Sequence, residues 1–394
     1  MKGLNFRFWI LVVIVSISGF SQGMLLPLIA VLLENANVPS HINGLHATGL
    51  YIGVLLASPL MEAPLKKFGY KPLIVFGGLA VIISLFSFTL TDSLLVWFFL
   101  RLLIGIGDHA LHFSTQTWIT AFSPIHKRGR NISLYGLFFG VGFAVGPLMT
   151  RFIAIDPELP FIISSIFSLL AWLTVFFLKN EIPEAAASDV ETYSLRSTFS
   201  RFTQVFKFAW AAVLPAFCYG ILEASLNGNF PVYALRIGMD VDALSIILPA
   251  FSVGGIIFQL PLGLLSDRYG RRNILLFIMF FGAASFISAA IFEQSFVLLT
   301  LTFFIAGMLL GSTFSLSIAY MTDLLPKQLL PAGNLMIGIF FSIGSIIGPF
   351  LGGIFIQYLQ QISFFYFISI MLFFIFIGLL LFKIQKSVDH SFNI

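Results

Sequence analysis

Residues 179–206 read KNEIPEAAASDVETYSLRSTFSRFTQVF and form the one long hydrophilic stretch of the chain, carrying Glu181, Glu184, Asp189, Glu191, Arg196 and Arg201. On both sides the sequence consists of apolar runs separated by short polar breaks. A helix needs about 20 largely apolar residues to cross the hydrocarbon of a bilayer. Working outward, such runs lie near 8–33, 42–65, 72–91, 94–122, 130–153 and 160–178 before the stretch, and near 206–235, 242–266, 273–292, 295–322, 331–356 and 362–383 after it. The expected fold is therefore an all-α membrane protein of twelve transmembrane helices, with a six-helix unit over 1–178, a connecting loop over 179–205 and a second six-helix unit over 206–394. The first run is longer than a signal-peptide core and lacks a small-residue cleavage pattern, so it is expected to remain as the first helix.

Composition agrees. Of 394 residues 58% are hydrophobic and 10% charged, too few polar side chains to cover a soluble surface of this size. The net charge of +4 would by itself suit nucleic acid as well as a membrane, and the placement of the basic residues decides between them. With twelve spans, 18 of the 21 Lys and Arg residues fall on one side, among them Lys2, Arg7, Lys66, Lys71, Arg130, Lys207, Arg268, Arg272, Lys327 and Lys386. Cytoplasmic loops hold the Lys/Arg excess, so both termini and the central loop are expected in the cytoplasm, in the cell membrane, with lipid rather than nucleic acid as the surrounding partner. Arg151 and Arg236 fall on the opposite side, and Arg101 lies within a span. Cys218, the single cysteine, lies in an apolar run and is read as a packing residue.

The two six-span units match each other. At offsets of 201 to 203 positions, Gln22 falls on Glu223, Gly69 on Gly270, Gly105 on Gly307, Asn131 on Asn334 and Gly136 on Gly338. In the same way Gly142, Gly146 and Pro147 fall on Gly344, Gly348 and Pro349. This periodic punctuation is what duplication of a six-helix unit leaves, as in one large class of secondary transporters. Three motifs point to the class. Gly263-Leu-Leu-Ser-Asp267-Arg268-Tyr-Gly270-Arg271-Arg272, between the eighth and ninth spans, resembles the loop signature of the major facilitator superfamily. Gly142-x-x-x-Gly146-Pro147 in the fifth span resembles the start of its antiporter motif, and Arg101-x-x-x-Gly105-x-Gly107 its fourth-span motif. The resemblance covers the whole chain and implies two pseudo-symmetric six-helix bundles, alternating access, and a monomer.

The sequence also departs from that pattern. The first copy of the loop signature reads Glu62-Ala-Pro64-Leu-Lys66-Lys67-Phe-Gly69-Tyr-Lys71, with Lys66 where the superfamily has Asp, so an ion pair made there is expected to be absent or rebuilt, with Glu62 as a candidate. The fifth-span motif ends Leu148-Met-Thr150-Arg151 instead of in paired glycines. Asp267 with Arg268, Arg271 and Arg272 is expected to latch the cytoplasmic gate, the alternative being that the arginines only enforce topology. Gly142 and Gly146 with Pro147 are expected to form a hinge between the halves, the alternative being ordinary close packing of small residues in lipid. A dinucleotide fingerprint is a poor reading of this glycine-rich run, because no strand surrounds it.

Ionisable groups at membrane depth are costly and default to function. Asp108 and Glu223 are the candidate proton carriers. Arg101, Gly105, Asp108 and His112 share one stripe of the fourth span, which Gln116 continues, with His109 about 100° around the helix. Asn227 follows Glu223 by one turn, and the repeat puts Gln22 at the equivalent place in the first span. The resemblance implies that spans 1, 4, 7 and 10 line the cavity, which adds Ser312, Thr313, Ser315, Ser317 and Tyr320. A fixed Arg101–Asp108 pair that locks the fourth span is the competing account. Asp108, His109 and His112 make a poor metal site because successive residues of a helix point in different directions, and no cofactor is expected. His46 is read as a hydrogen-bonded packing residue.

The leading expectation is proton-coupled efflux of a small organic molecule, a drug or a charged or zwitterionic metabolite such as a siderophore-like compound. Proton-coupled uptake of a sugar or organic anion is the runner-up. From another class, a membrane-embedded enzyme would use Asp108 and His112 as acid and base, but it would have no need of a duplicated chain.

Overall fold

The computed structural model describes residues 2–183, 195–326 and 329–382. Among these residues the chain is helical throughout: α1 (Lys2–Asn35), α2 (Ser40–Ala57), α3 (Glu62–Phe68), α4 (Tyr70–Ser87), α5 (Leu94–Phe122), α6 (Ile125–Val145), α7 (Leu159–Leu173), α8 (Leu195–Gly228), α9 (Phe230–Arg236), α10 (Val241–Tyr269), α11 (Arg271–Phe292), α12 (Phe296–Leu310), α13 (Thr313–Leu324), α14 (Leu330–Tyr358) and α15 (Phe364–Leu381). Eleven spans are long and apolar enough to cross a membrane, with α12 and α13 together making one of them. The twelfth is α2. Its first half carries Ser40, His41, Asn43, His46 and Thr48, which lowers its apolarity, and it is sheltered by protein, lying against both α5 and α14.

Span ends shift where backbone chemistry intervenes. The second span stops at Ala57 rather than near 65, because a 3-10 turn at Ser58–Leu60 containing Pro59 separates it from α3. The hydrophilic stretch becomes helical again at Leu195, and α8 kinks at Ala209, where φ is −137°. The expected positions Glu184, Asp189, Glu191, Lys327 and Lys386 lie outside the described residues. Gly69 and Gly270, matched by the repeat, both end a helix with positive φ (86° and 88°), a conformation cheap only for glycine.

Each half is held together by backbone contacts across glycine, and the contacts repeat. A Cβ on Gly105 would collide with the carbonyl of Leu50, and one on Gly307 with that of Phe251. A Cβ on Gly142 would strike the Ser16 carbonyl, and one on Gly344 the Phe217 carbonyl. In lipid, where no hydrophobic gain drives helices together, close backbone approach and dispersion supply the cohesion. The two halves meet along a seam formed chiefly by α2 against α14 and by α6, with its 3-10 extension Gly146–Ala154, against α10.

The seam is closed at one end. At the face opposite the basic loops, a Cβ on Gly44 would collide with the Pro349 carbonyl, and Gly353 is as close to Ser40. The backbone N–H of Ser40 donates to Gln357 at 3.0 Å, and His41 stacks on Tyr358. Arg236 holds Glu34 at 2.7 Å and Arg151 donates to Ser245 at 2.5 Å, each pair joining the two halves. Toward the basic face, Gly136 and Gly338 meet nothing within 4 Å.

Candidate functional site

Between the halves lies a cavity of about 490 Å³. Gln22 and Leu26 of α1, Tyr51 and Leu55 of α2 with Ser58 just beyond it, Asp108, His109 and His112 of α5, and Phe139 and Phe143 of α6 are among the residues that form its wall on one side. Glu223 of α8 and Asn334 to Ser342 of α14 form the other. Asp108 and Glu223, one from each half, thus face the same space. No Lys or Arg is among the lining residues.

Of the residues expected in the cavity, Gln22, Asp108, His109, His112 and Glu223 are brought together there. The others are not. Gln116 is exposed outside the lining, and the Asn227 amide donates back to the Glu223 carbonyl at 2.9 Å. Ser312 and Tyr320 are buried, and neither their hydroxyls nor that of Thr313 has a hydrogen-bond partner. The tenth span is broken between Leu310 and Thr313 and does not contribute to the wall, whereas α2, α6 and α14 do. The expectation of walls from spans 1, 4, 7 and 10 is corrected accordingly. With the far seam closed, the second, fifth and eleventh spans reach the cavity's edge beside the first, fourth and seventh.

Asp108 anchors a polar chain. It is 2% exposed and accepts a hydrogen bond from Ser18 at 2.7 Å. The Ser18 oxygen lies 3.0 Å from His112 Nε2, and His112 Nδ1 lies 2.7 Å from the Tyr135 hydroxyl. The Gln22 amide nitrogen is 3.2 Å from the same Nε2. Ser18 and Tyr135 were missed in the sequence because a serine or a tyrosine within an apolar helix is a common packing residue. Only the fold sets them on either side of His112.

Arg101 does not pair with Asp108. Its side chain is fully buried, and none of its three guanidinium nitrogens has a hydrogen-bond partner. Two helical turns place it about 10 Å from Asp108 along the axis. The locked-pair account is thereby removed. His46 sits as expected, bonded to the Leu94 carbonyl at 3.0 Å and edge-on to Phe98. Cys218 is buried, with its sulfur 3.0 Å from that of Met371.

The sequence pattern of the Major Facilitator Superfamily matches residues 11–248 and 213–393. The chain belongs to this superfamily. It is similar to the MFS-type transporter YfkF of Bacillus subtilis (strain 168), with 59% identity over 368 residues and 93% of each chain covered. At 23% identity it is similar to the MFS-type transporter Ent638_1421 of Enterobacter sp. (strain 638), covering 82% of this chain and 81% of that one. Among solved structures it resembles the nucleoside transporter NupG, with TM-score 0.77, 15% identity, and 96% and 100% of the two chains covered. It also resembles a bacterial homologue of the human lysosomal transporter Spinster, with TM-score 0.72, 14% identity, and 96% and 95% covered. Both structures show the shared fold. The protein is a multi-pass membrane transporter.

The superfamily loop signatures lie at the basic face, each within its own half. In the second copy, Arg271 donates to Asp323 at 2.8 Å, to Asp267 at 3.3 Å and to the Ala319 carbonyl, while Arg272 caps the end of α15 through the carbonyls of Leu379, Leu380 and Phe382. Arg268 lies over the Tyr269 ring, and Gly263 faces open space. Among the described residues, these contacts of the cluster all lie within one half. The first copy uses Lys71 where the second has Arg272, donating to the carbonyls of Leu178 at 2.7 Å and Phe176 at 3.3 Å.

A carboxylate from the hydrophilic stretch lies beside the first copy of the signature, where the Tyr70 N–H donates to the Glu181 carbonyl. Glu181, in the hydrophilic stretch, pairs with Arg7 and accepts from Trp118 Nε1 at 2.7 Å, and the Trp118 ring stacks on Tyr70. Glu62 opens α3, and its side chain lies outside the described residues. Gly142 and Gly146 contact Ser16, Phe20, Gly23 and Met24 of α1 in their own half. The expected hinge between halves is therefore corrected to a tight joint inside one half, where Pro147 starts the 3-10 segment. Small residues serve backbone approach wherever two helices cross, and sequence spacing alone does not say which two.

Proposed function

We propose that the protein exports a small amphiphilic organic molecule, cationic or zwitterionic, in exchange for protons, with Asp108 and Glu223 as the groups that load and release the proton. The observation that carries this reading is the wall of the cavity. It holds one carboxylate from each half and no Lys or Arg, and the rest is largely aromatic and aliphatic, including Tyr51, Phe113, Phe139, Phe143 and Phe341. A proton and a cationic substrate compete for the same carboxylates, so binding of one favours release of the other. Alternating access supplies the rest. The far seam is closed and the basic end open, and transport requires this arrangement to invert.

The same reading places the basic face and both termini in the cytoplasm of a cell membrane, following the Lys/Arg asymmetry, with a six-helix bundle over 1–178, a central loop over 179–205 and a second bundle over 206–394. The protein acts as a monomer. Asp267, Arg268, Arg271, Arg272, Gly69, Gly270 and Lys66 form the hardware of the cytoplasmic gate. Uptake of an organic anion is disfavoured, since no Lys or Arg reaches the wall and the only basic groups there are His109 and His112. An acid–base enzyme would need a substrate between Asp108 and His112, where Ser18 already stands.

The test is transport by purified protein in sealed vesicles under an imposed pH gradient, with ethidium as the first cationic probe and a zwitterionic metabolite panel as the second. Gradient-driven accumulation is expected for the wild type and its loss for Asp108→Asn and Glu223→Gln. Full pH-driven transport in both variants would remove the proposal, and chemical conversion of a probe without accumulation would favour the enzyme.

A further inference from the structure

We infer that Ser18, His112 and Tyr135 form a three-residue relay that reads the protonation state of Asp108 and answers by exchanging the tautomer of His112. The inference rests on the reading of Asp108 as a proton carrier and adds positioning residues that the sequence did not reveal.

The argument is a count of hydrogens. Three contacts link the chain: Asp108 Oδ1 to Ser18, Ser18 to His112 Nε2, and His112 Nδ1 to the Tyr135 hydroxyl. Each needs one hydrogen. With Asp108 ionised and His112 neutral, three hydrogens are available: one each on Ser18, the imidazole and Tyr135. Only one arrangement fills all three contacts. Ser18 donates to Asp108, Nε2–H donates to Ser18, and Tyr135 donates to Nδ1.

Adding a proton to Asp108 Oδ1 lets every direction reverse, and the other arrangement, with Ser18 accepting from both Asp108 and Nε2–H, strands the Ser18 hydrogen, whose only remaining side-chain neighbour among the described contacts is the Gln22 amide donor. Asp108 now donates to Ser18, Ser18 donates to Nε2, and the imidazole hydrogen sits on Nδ1 and is donated to Tyr135. The Tyr135 hydrogen is then free. Two acceptors stand ready for it, the Thr115 hydroxyl at 3.3 Å and the His112 carbonyl at 3.4 Å. Ser18 then takes the one lone pair of His112 Nε2, and the Gln22 amide, 3.2 Å from that nitrogen, is left to donate to the Ser18 oxygen at 3.5 Å. The other oxygen of Asp108, Oδ2, is buried without a partner, so a proton placed there would be an unsatisfied donor. The geometry thus steers the proton to Oδ1, where it flips the chain.

The four members belong to α1, α5 and α6, so the exchange rewrites the polar bonds by which α5 holds two neighbours of its own half. The groups facing Asp108 and His112 are Ser18 and Gln22 of α1, Tyr51 of α2, Tyr135 of α6 and Glu223 of α8, with His109 on α5 itself and Arg101 two turns away on the same helix.

The measurement is ¹⁵N imidazole spectroscopy of the full-length protein, histidine-labelled in lipid nanodiscs, across a pH series, with His112 assigned by the signal lost in His112→Gln. The expected result is a neutral ring whose hydrogen moves from Nε2 to Nδ1 as pH falls. Tyr135→Phe should abolish the exchange, because Nδ1 loses its partner. Asp108→Asn should hold one tautomer at every pH. A doubly protonated His112 at low pH overturns the inference, since the proton would then rest on the ring and not on Asp108. A tautomer that ignores pH, or a pH response intact in Asp108→Asn, overturns it as well. Failure of the underlying reading is seen separately, as full pH-driven vesicle transport by Asp108→Asn and Glu223→Gln.

Discussion

The two ends of the seam between the halves use the same residue type in opposite ways. At the far end Gly44 and Gly353 bring backbone against backbone, with Pro349 and Ser40 as their partners, and the ion pair Glu34–Arg236 and the bond from Arg151 to Ser245 close the rim. At the basic end Gly136 and Gly338, which occupy equivalent places in the two repeats, face empty space. The closed end shows what the open end lacks. Closure of a gate in this fold needs side chains small enough to let helices touch, and a few charged pairs at the rim to fix register.

The strongest way to break this comparison is Gly44→Val. Overpacking of this kind costs about 1–3 kcal/mol, here against the far-closed conformation alone, which lowers the ratio of far-closed to far-open protein by roughly fivefold to 150-fold. A membrane-impermeant thiol reagent should then reach a cysteine placed at Leu26 from the far side, and unchanged labelling would show that the contact does not set closure. A smaller effect is expected from Glu34→Gln or Arg236→Gln. Partly exposed ion pairs contribute about 0.2–1 kcal/mol, so labelling should rise a few-fold, and the double exchange Glu34→Arg with Arg236→Glu should restore it. The smallest effect belongs to Gly136→Ala and Gly338→Ala. Neither meets an obstacle in this conformation, and alanine favours a helix by roughly 0.5–1 kcal/mol over glycine, so thermal stability should hold or rise while transport slows. A drop in stability as large as that from Gly44→Val would mean that the basic end is not open.

The fold was legible because apolar length, basic-residue placement and the repeat depend on lipid and on duplication, and both act along the chain. The equivalence of Gly105 and Gly307, read from spacing, reappears as matching collisions with Leu50 and Phe251. The cavity was only half legible. Asp108, His112, Gln22 and Glu223 stood out because an ionisable or amide group at depth is rare. Leu55, Phe139 and Ser342 did not, since a wall residue and a lipid-facing residue of an apolar helix look alike until the halves are placed. The Arg101–Asp108 pair failed for the opposite reason: sharing a helix face does not bring side chains two turns apart into contact. Glu181 escaped because a carboxylate in a polar stretch reads as solvated, while the fold turns it back onto Trp118.

Of the twelve spans, α2 is the one whose polarity depends on company. Its Ser40, Asn43, His46 and Thr48 are buried by neighbouring protein, and the Ser40 amide is satisfied by Gln357, 317 residues further along the chain. A ribosome therefore releases α2 long before the surface that covers it exists. Until α14 emerges, one flank of α2 must be sheltered near the headgroups, by a neighbouring segment or by an insertion chaperone. Biogenesis of the first six spans is in this sense unfinished business, completed only when α14 arrives.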